Sequence, residues 1–109
     1  MEPVMSPADM LLRRAHLLSA GPDGPVSFPL AGDAVVVGRS ASADVRVADP
    51  RVSRRHARLE RVEDVWKVED LGSQNGVLVN GVRIEGPTAL RSGDVLQIGG
   101  VRFEFSVAE

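Results

Sequence analysis

Apolar and polar residues alternate along most of this chain, in runs too short to make helices. Val26, Phe28 and Leu30 alternate with Ser27 and Pro29, and Val45 and Val47 with Asp44 and Arg46; Ala57 and Leu59 alternate with Arg58 and Glu60, and Trp66 and Val68 with Lys67 and Glu69. A period of two places every second side chain on one face, as in a strand with one side buried. Residues 14–20, 77–79, 82–84, the pair Leu96 and Ile98, and the series Val101, Phe103, Phe105 read as further strands. Residues 34–37 break the alternation, being apolar on both faces and β-branched, and so predict a strand buried between two layers.

Turn residues separate these segments. Gly21-Pro22-Asp23-Gly24 and Pro29 mark an edge hairpin, since proline cannot donate to a central ladder. Asn80-Gly81 predicts a two-residue type I′ hairpin. Gly32-Asp33, Ser92-Gly93-Asp94 and Gly99-Gly100 mark further turns. About eleven short strands at this spacing, with no helical stripe longer than two turns and no internal repeat, predict an all-β fold, an antiparallel β-sandwich. Residues 1–12 carry two prolines and no clear period and are expected to be a flexible tail; residues 13–109 are expected to form the domain.

Composition narrows the function. A chain of 109 residues fits a single core. With no Cys and only His16 and His56, neither disulfides nor the usual zinc ligand sets are available, so no metal and no cofactor are expected. No apolar run approaches a membrane span, and Glu2, Asp9, Arg13 and Arg14 interrupt the start, which reads as cytoplasmic. The net charge is only -2, yet seven Arg (39, 46, 51, 54, 55, 58 and 61) face three acidic residues between Gly38 and Arg61. A local basic patch on a mildly acidic protein, expected to be a monomer, suits a small anionic partner rather than nucleic acid or a membrane. Arginine in place of lysine almost throughout, with much Ala, Val and Gly, points to a GC-rich bacterial genome.

The polar clusters at the strand ends run Gly38-Arg39, then Ser53-Arg54-Arg55-His56, then Asp70-Leu71-Gly72-Ser73-Gln74-Asn75-Gly76. In this order and spacing, with Asp44-Val45, Val52, Ala57, Trp66, Asn80-Gly81 and Gly93-Asp94 around them, they resemble the forkhead-associated domain over about residues 14–107. The resemblance implies a β-sandwich that binds phosphothreonine peptides with the loops at one end, in Ser/Thr kinase signalling. It implies Arg39 and Ser53 as phosphate ligands, with Arg54 beside them. Gln74 replaces the Thr that several members carry there, and can still donate an amide N–H. Asn75 is expected on the peptide backbone, and Arg51 on residues downstream of the phosphate, with a preference for acidic ones. Gly38, His56, Asp70 and Gly76 are expected to shape the loops.

The chemistry agrees with these roles. Phosphothreonine brings close to two negative charges and three acceptor oxygens, so its site needs a fixed cation and convergent neutral donors. Arg39 offers a planar fork, Ser53 a hydroxyl and a backbone N–H, and Asn75 an amide that donates and accepts at once. Ser53, His56 and Asp70 also spell the residue types of a hydrolase triad, but no nucleophile elbow or oxyanion loop accompanies them, so an enzyme is not expected. The remaining alternative is a module of the same fold that recognises partners, or itself, without phosphate. The only threonine, Thr88, is expected to be held within the fold; Ser6 is the one hydroxyl acceptor of the tail.

Overall fold

The structure, a computed structural model, describes residues 15–21 and 24–107; the expected tail with Ser6, residue 14, and Pro22 and Asp23 of the first turn lie outside them. The strands are β1 (Ala15–Gly21), β2 (Gly24–Pro29), β3 (Ala34–Gly38), β4 (Val45–Arg46), β5 (Ala57–Val62) and β6 (Val65–Asp70), followed by β7 (Val77–Val79), β8 (Val82–Arg83), β9 (Thr88–Ala89), β10 (Val95–Ile98) and β11 (Val101–Val107). They form a six-stranded sheet in the order β2-β1-β11-β10-β7-β8 and a five-stranded sheet in the order β4-β3-β5-β6-β9. No helix of the described residues is long and apolar enough to cross a membrane.

Alternation decides what lies between the sheets. The five-stranded sheet turns Val35, Val37, Ala57, Leu59, Trp66 and Val68 inward; the other contributes Leu17, Val77, Leu96, Ile98, Phe103 and Phe105. Phe28 meets Phe103 edge to face, ring centroids 6.1 Å apart. At roughly 1.5–3 kcal/mol for each large side chain taken fully out of water, this layer is the main force holding the sheets together. The strand at residues 34–37 departs from expectation: Ala34 is exposed and Val36 half-buried, so only one face packs on the core.

Two further features differ from the sequence reading. β4 runs parallel to β3, with Val37 opposite Val45 and Gly38 opposite Arg46; every other ladder is antiparallel. A tight loop suffices here because β4 has only two residues, and Asp44 turns its carboxylate back onto the Val36 N–H at 2.9 Å. The second is β9, a two-residue strand too short to show alternation, which completes the edge of β6. It holds Thr88 in the fold, half-buried, with its hydroxyl on the Gly86 carbonyl.

The turns follow backbone chemistry. Asn80 (φ 51°) and Gly81 (φ 82°) form the expected type I′ turn between β7 and β8. The Asn80 side chain also accepts the Val95 N–H and donates to Asp94. Glu63 (φ 51°) and Asp64 (φ 66°) connect β5 to β6 in the same left-handed region without a glycine. β2, with Pro25 and Pro29, lies at a sheet edge, as its prolines require.

Candidate functional site

The strand registers bring the polar clusters together. β3 ends where β5 begins (Val37 opposite Ala57), β5 begins where β6 ends (Ala57 opposite Asp70), and in the other sheet β7 begins where β10 ends (Ile98 opposite Val77). Residues 38–39, 51–56, 73–76 and 99–100 therefore share one end of the sandwich. Hydrogen bonds cross between these loops at short range.

Gly38 makes the closest approach. A Cβ there would collide with the carbonyl group of Arg54, a backbone neighbour that cannot swing aside. The missing side chain lets the end of β3 zip onto the following loop, with the Arg39 N–H on the Ser53 carbonyl (3.0 Å) and the Ser40 N–H on the Arg54 carbonyl (3.1 Å). Arg39 then anchors its guanidinium by donating from Nε to the Val52 carbonyl at 3.0 Å. That single bond leaves both terminal NH2 groups of an exposed side chain to face outward as a fork.

Ser53 differs in part from expectation. Its backbone N–H, read from the sequence as a phosphate donor, is already given to Nδ1 of His56 at 3.0 Å. Its hydroxyl oxygen accepts the Gln74 N–H at 3.2 Å, which leaves the hydroxyl proton to point elsewhere. Gln74 thus positions Ser53 through its backbone, while its side chain stays exposed. Arg54 is also exposed, and among the described residues neither it nor Arg39, Arg46 or Arg55 lies within ion-pair distance of a carboxylate.

His56 is the one buried polar residue of the described chain. Because Nδ1 accepts from Ser53, the ring proton sits on Nε2, which donates to the Gly76 carbonyl at 2.7 Å. With both ring nitrogens engaged by backbone, the imidazole braces two loops and cannot serve as a base. The triad spelled by the sequence does not assemble: His56 meets the Ser53 backbone rather than its hydroxyl, and Asp70 accepts the Ser73 N–H at 2.7 Å. Asp70 thus bonds within its own loop, and Ser73 continues the loop's bonding by accepting the Gly76 N–H at 2.9 Å.

Asn75 donates from Nδ2 to the Arg51 carbonyl at 2.7 Å, which fixes its amide plane and leaves Oδ1 and the second N–H for a ligand. Arg51 itself forks onto Asp49, Nε to Oδ1 at 3.1 Å and Nη2 to Oδ2 at 2.9 Å. Hydrogen bonds from the Arg51 side chain, then from its backbone N–H, hold the Asp49 carboxyl down at about 2, and Asp49 in turn raises Arg51. The cation expected to read downstream residues is thus already partnered. The Gly99-Gly100 turn, marked by the sequence only as a turn, seats this residue: a Cβ on Gly99 would lie 2.5 Å from the Arg51 carbonyl oxygen, and one on Gly100 2.6 Å from Nη1. Nothing in the sequence links these distant glycines to Arg51, so the seat is visible only in three dimensions.

The family model for the FHA domain matches residues 35–99. A curated relative, the oxoglutarate dehydrogenase inhibitor of Corynebacterium jeikeium, is 36% identical over 89 residues, covering 82% of this chain and 61% of that protein. Of the first curated relatives matched, the chain spans only 3% to 61% of the length. Among solved structures, one from a structural and functional analysis of phosphothreonine-dependent FHA domain interactions superposes with a TM-score of 0.81 at 27% identity, covering 88% of this chain and 98% of the other. Mycobacterium tuberculosis EmbR, in complex with a low-affinity phosphopeptide, gives a TM-score of 0.81 at 29% identity over 87% of this chain and 24% of EmbR.

Proposed function

The chain belongs to the FHA domain family of non-catalytic interaction modules, and on that footing we propose that it captures threonine-phosphorylated proteins, the products of a Ser/Thr kinase. The observation that carries the reading is the pairing of Arg39, held by Nε on the Val52 carbonyl, with Ser53, whose hydroxyl oxygen is held by the Gln74 N–H. Each is anchored by one bond, and each keeps a donor for a ligand. A planar fork and a hydroxyl on adjoining loops match the oxygens of a phosphate monoester, and Arg54 adds positive charge beside them.

Asn75 takes the next stretch of partner backbone, since its amide plane is already set by the Arg51 carbonyl. A Ser/Thr kinase upstream belongs to the same proposal, because a phosphothreonine partner has first to be made by a kinase that acts on threonine.

The test is calorimetric titration of one peptide in its phosphothreonine, phosphoserine and unphosphorylated forms. Binding should require phosphate and favour the threonine, whose extra methyl is worth about 0.8 kcal/mol when buried. Arg39→Ala should weaken phosphopeptide binding by roughly 2–5 kcal/mol without unfolding the domain. Equal binding of the unphosphorylated form would instead establish a phosphate-independent interaction module, and an unchanged affinity in Arg39→Ala would remove Arg39 from the phosphate site.

A further inference from the structure

Arg83 ends β8 at the same end of the sandwich as the recognition loops. The type I′ turn sets Leu78 opposite Arg83, so Gly76 is the diagonal neighbour of Arg83 two residues further along. The two touch: a Cβ built on Gly76 would lie 2.8 Å from Nε, 3.0 Å from Cζ and 3.2 Å from Nη2 of Arg83. The guanidinium therefore lies flat against a glycine that has φ +77° and no side chain to displace it.

That seat is fixed from beneath, because the Gly76 carbonyl accepts from His56 and its N–H donates to Ser73. Arg58 and Arg61 on the strands and Arg51 at the site each hold a carboxylate. Arg83 is exposed, and among the described residues no carboxylate lies within ion-pair distance of it.

Distance along the loop sets what this charge can reach. The Gln74 N–H marks the phosphate end through Ser53, and Gly76 is two residues on, at most about 7 Å between Cα atoms. Adding the reach to the guanidinium places the two charges on the order of 10 Å apart, and an extended peptide covers about 3.3 Å per residue. We propose that Arg83, not Arg51, selects an acidic side chain in the bound peptide, two to four positions from the phosphothreonine on the side that passes Asn75. The inference rests on the phosphothreonine reading. Arg51 already holds Asp49, so an incoming carboxylate would have to displace an existing partner there, whereas at Arg83 it meets a cation with no carboxylate partner among the described residues, lying against Gly76.

The experiment scans a single Asp through the four positions on each side of the phosphothreonine of an otherwise alanine-flanked peptide, and measures affinity for wild type, Arg83→Gln, Arg83→Lys and Arg51→Gln at low and high salt. One position two to four residues away should bind wild type about three- to tenfold tighter than alanine, with the gain shrinking as salt rises. The Asp-to-Ala ratio should fall to about one in Arg83→Gln, survive in part in Arg83→Lys, and persist in Arg51→Gln. Melting curves establish that each variant is folded; should Arg83→Gln unfold, Arg83→Lys against wild type still reports the guanidinium's share. A ratio that persists in Arg83→Gln, or collapses only in Arg51→Gln, would overturn the assignment, as would the absence of any favoured Asp position. If no phosphopeptide binds wild type at all, the functional reading itself falls and this inference with it. Phosphate-dependent binding without Asp selection removes the inference alone.

Discussion

His56 ties two loops with one ring, taking the Ser53 N–H at Nδ1 and giving Nε2–H to the Gly76 carbonyl from a fully buried position. His56→Ala removes both bonds, leaves two backbone groups without their partner and opens a cavity, at a cost of roughly 2–4 kcal/mol. The melting temperature should fall by about 8 °C or more, and an unchanged value by calorimetry would show that neighbouring groups or water replace the brace. Asp49 offers a second check at this scale. Its pKa is depressed from 3.8 to about 2, so whatever its pair with Arg51 contributes is fully present above the ordinary carboxylate range and is lost as pH falls through about 2. In a carboxyl-detected NMR titration Asp49 should titrate near pH 2 in wild type and move back towards 3.8 in Arg51→Gln; a midpoint near 4 in wild type would mean the fork does not persist in solution.

The strands and turns carry a different kind of information. Glu63 and Asp64 hold left-handed backbone in the two-residue turn between β5 and β6, where a type I′ turn favours Asn-Gly. Left-handed backbone costs a non-glycine residue about 1 kcal/mol, partly offset on substitution by the greater freedom of glycine in the unfolded chain. The double substitution Glu63→Asn with Asp64→Gly should therefore raise stability by roughly 0.5–1 kcal/mol, measured as a shift of the urea midpoint at constant slope. No gain would indicate that the native pair makes compensating contacts. By contrast Asn80-Gly81 already has the favoured residues, which is why its hairpin was legible from the dipeptide alone. β9 was not legible: two residues carry no period, and they pair because β6 needs a neighbour on that side, as the Leu90 N–H on the Trp66 carbonyl shows. The parallel pairing of β4 was hidden for a similar reason, since two residues carry no sign of direction and the Asp44 carboxylate meets the Val36 N–H from eight residues away.

Across the molecule, local chemistry announced the loops and not their mutual contacts. Gly38, Arg39, Ser53, His56, Asp70, Asn75 and Gly76 stood out because turn residues and unpaired polar side chains cluster between alternating segments. What each one touches depends on how the two sheets meet. Hence the Ser53 N–H proved to be occupied, Arg51 to be partnered, and Arg83, an unremarkable residue of a short strand in the sequence, to lie against the loop that carries Asn75.

The registers that gather these loops at one end leave Glu63-Asp64, Asn80-Gly81 and Ser92-Gly93 at the other, as exposed tight turns. The domain therefore has a socket and a handle. A fluorophore or tether attached at Asp64 sits a full strand length from Arg39, so it should leave phosphopeptide affinity untouched, and an altered affinity on labelling would show that the two ends communicate. An immobilised array of the domain, anchored by the handle, would present every socket outward, and so would test the proposed capture of phosphorylated chains on a surface.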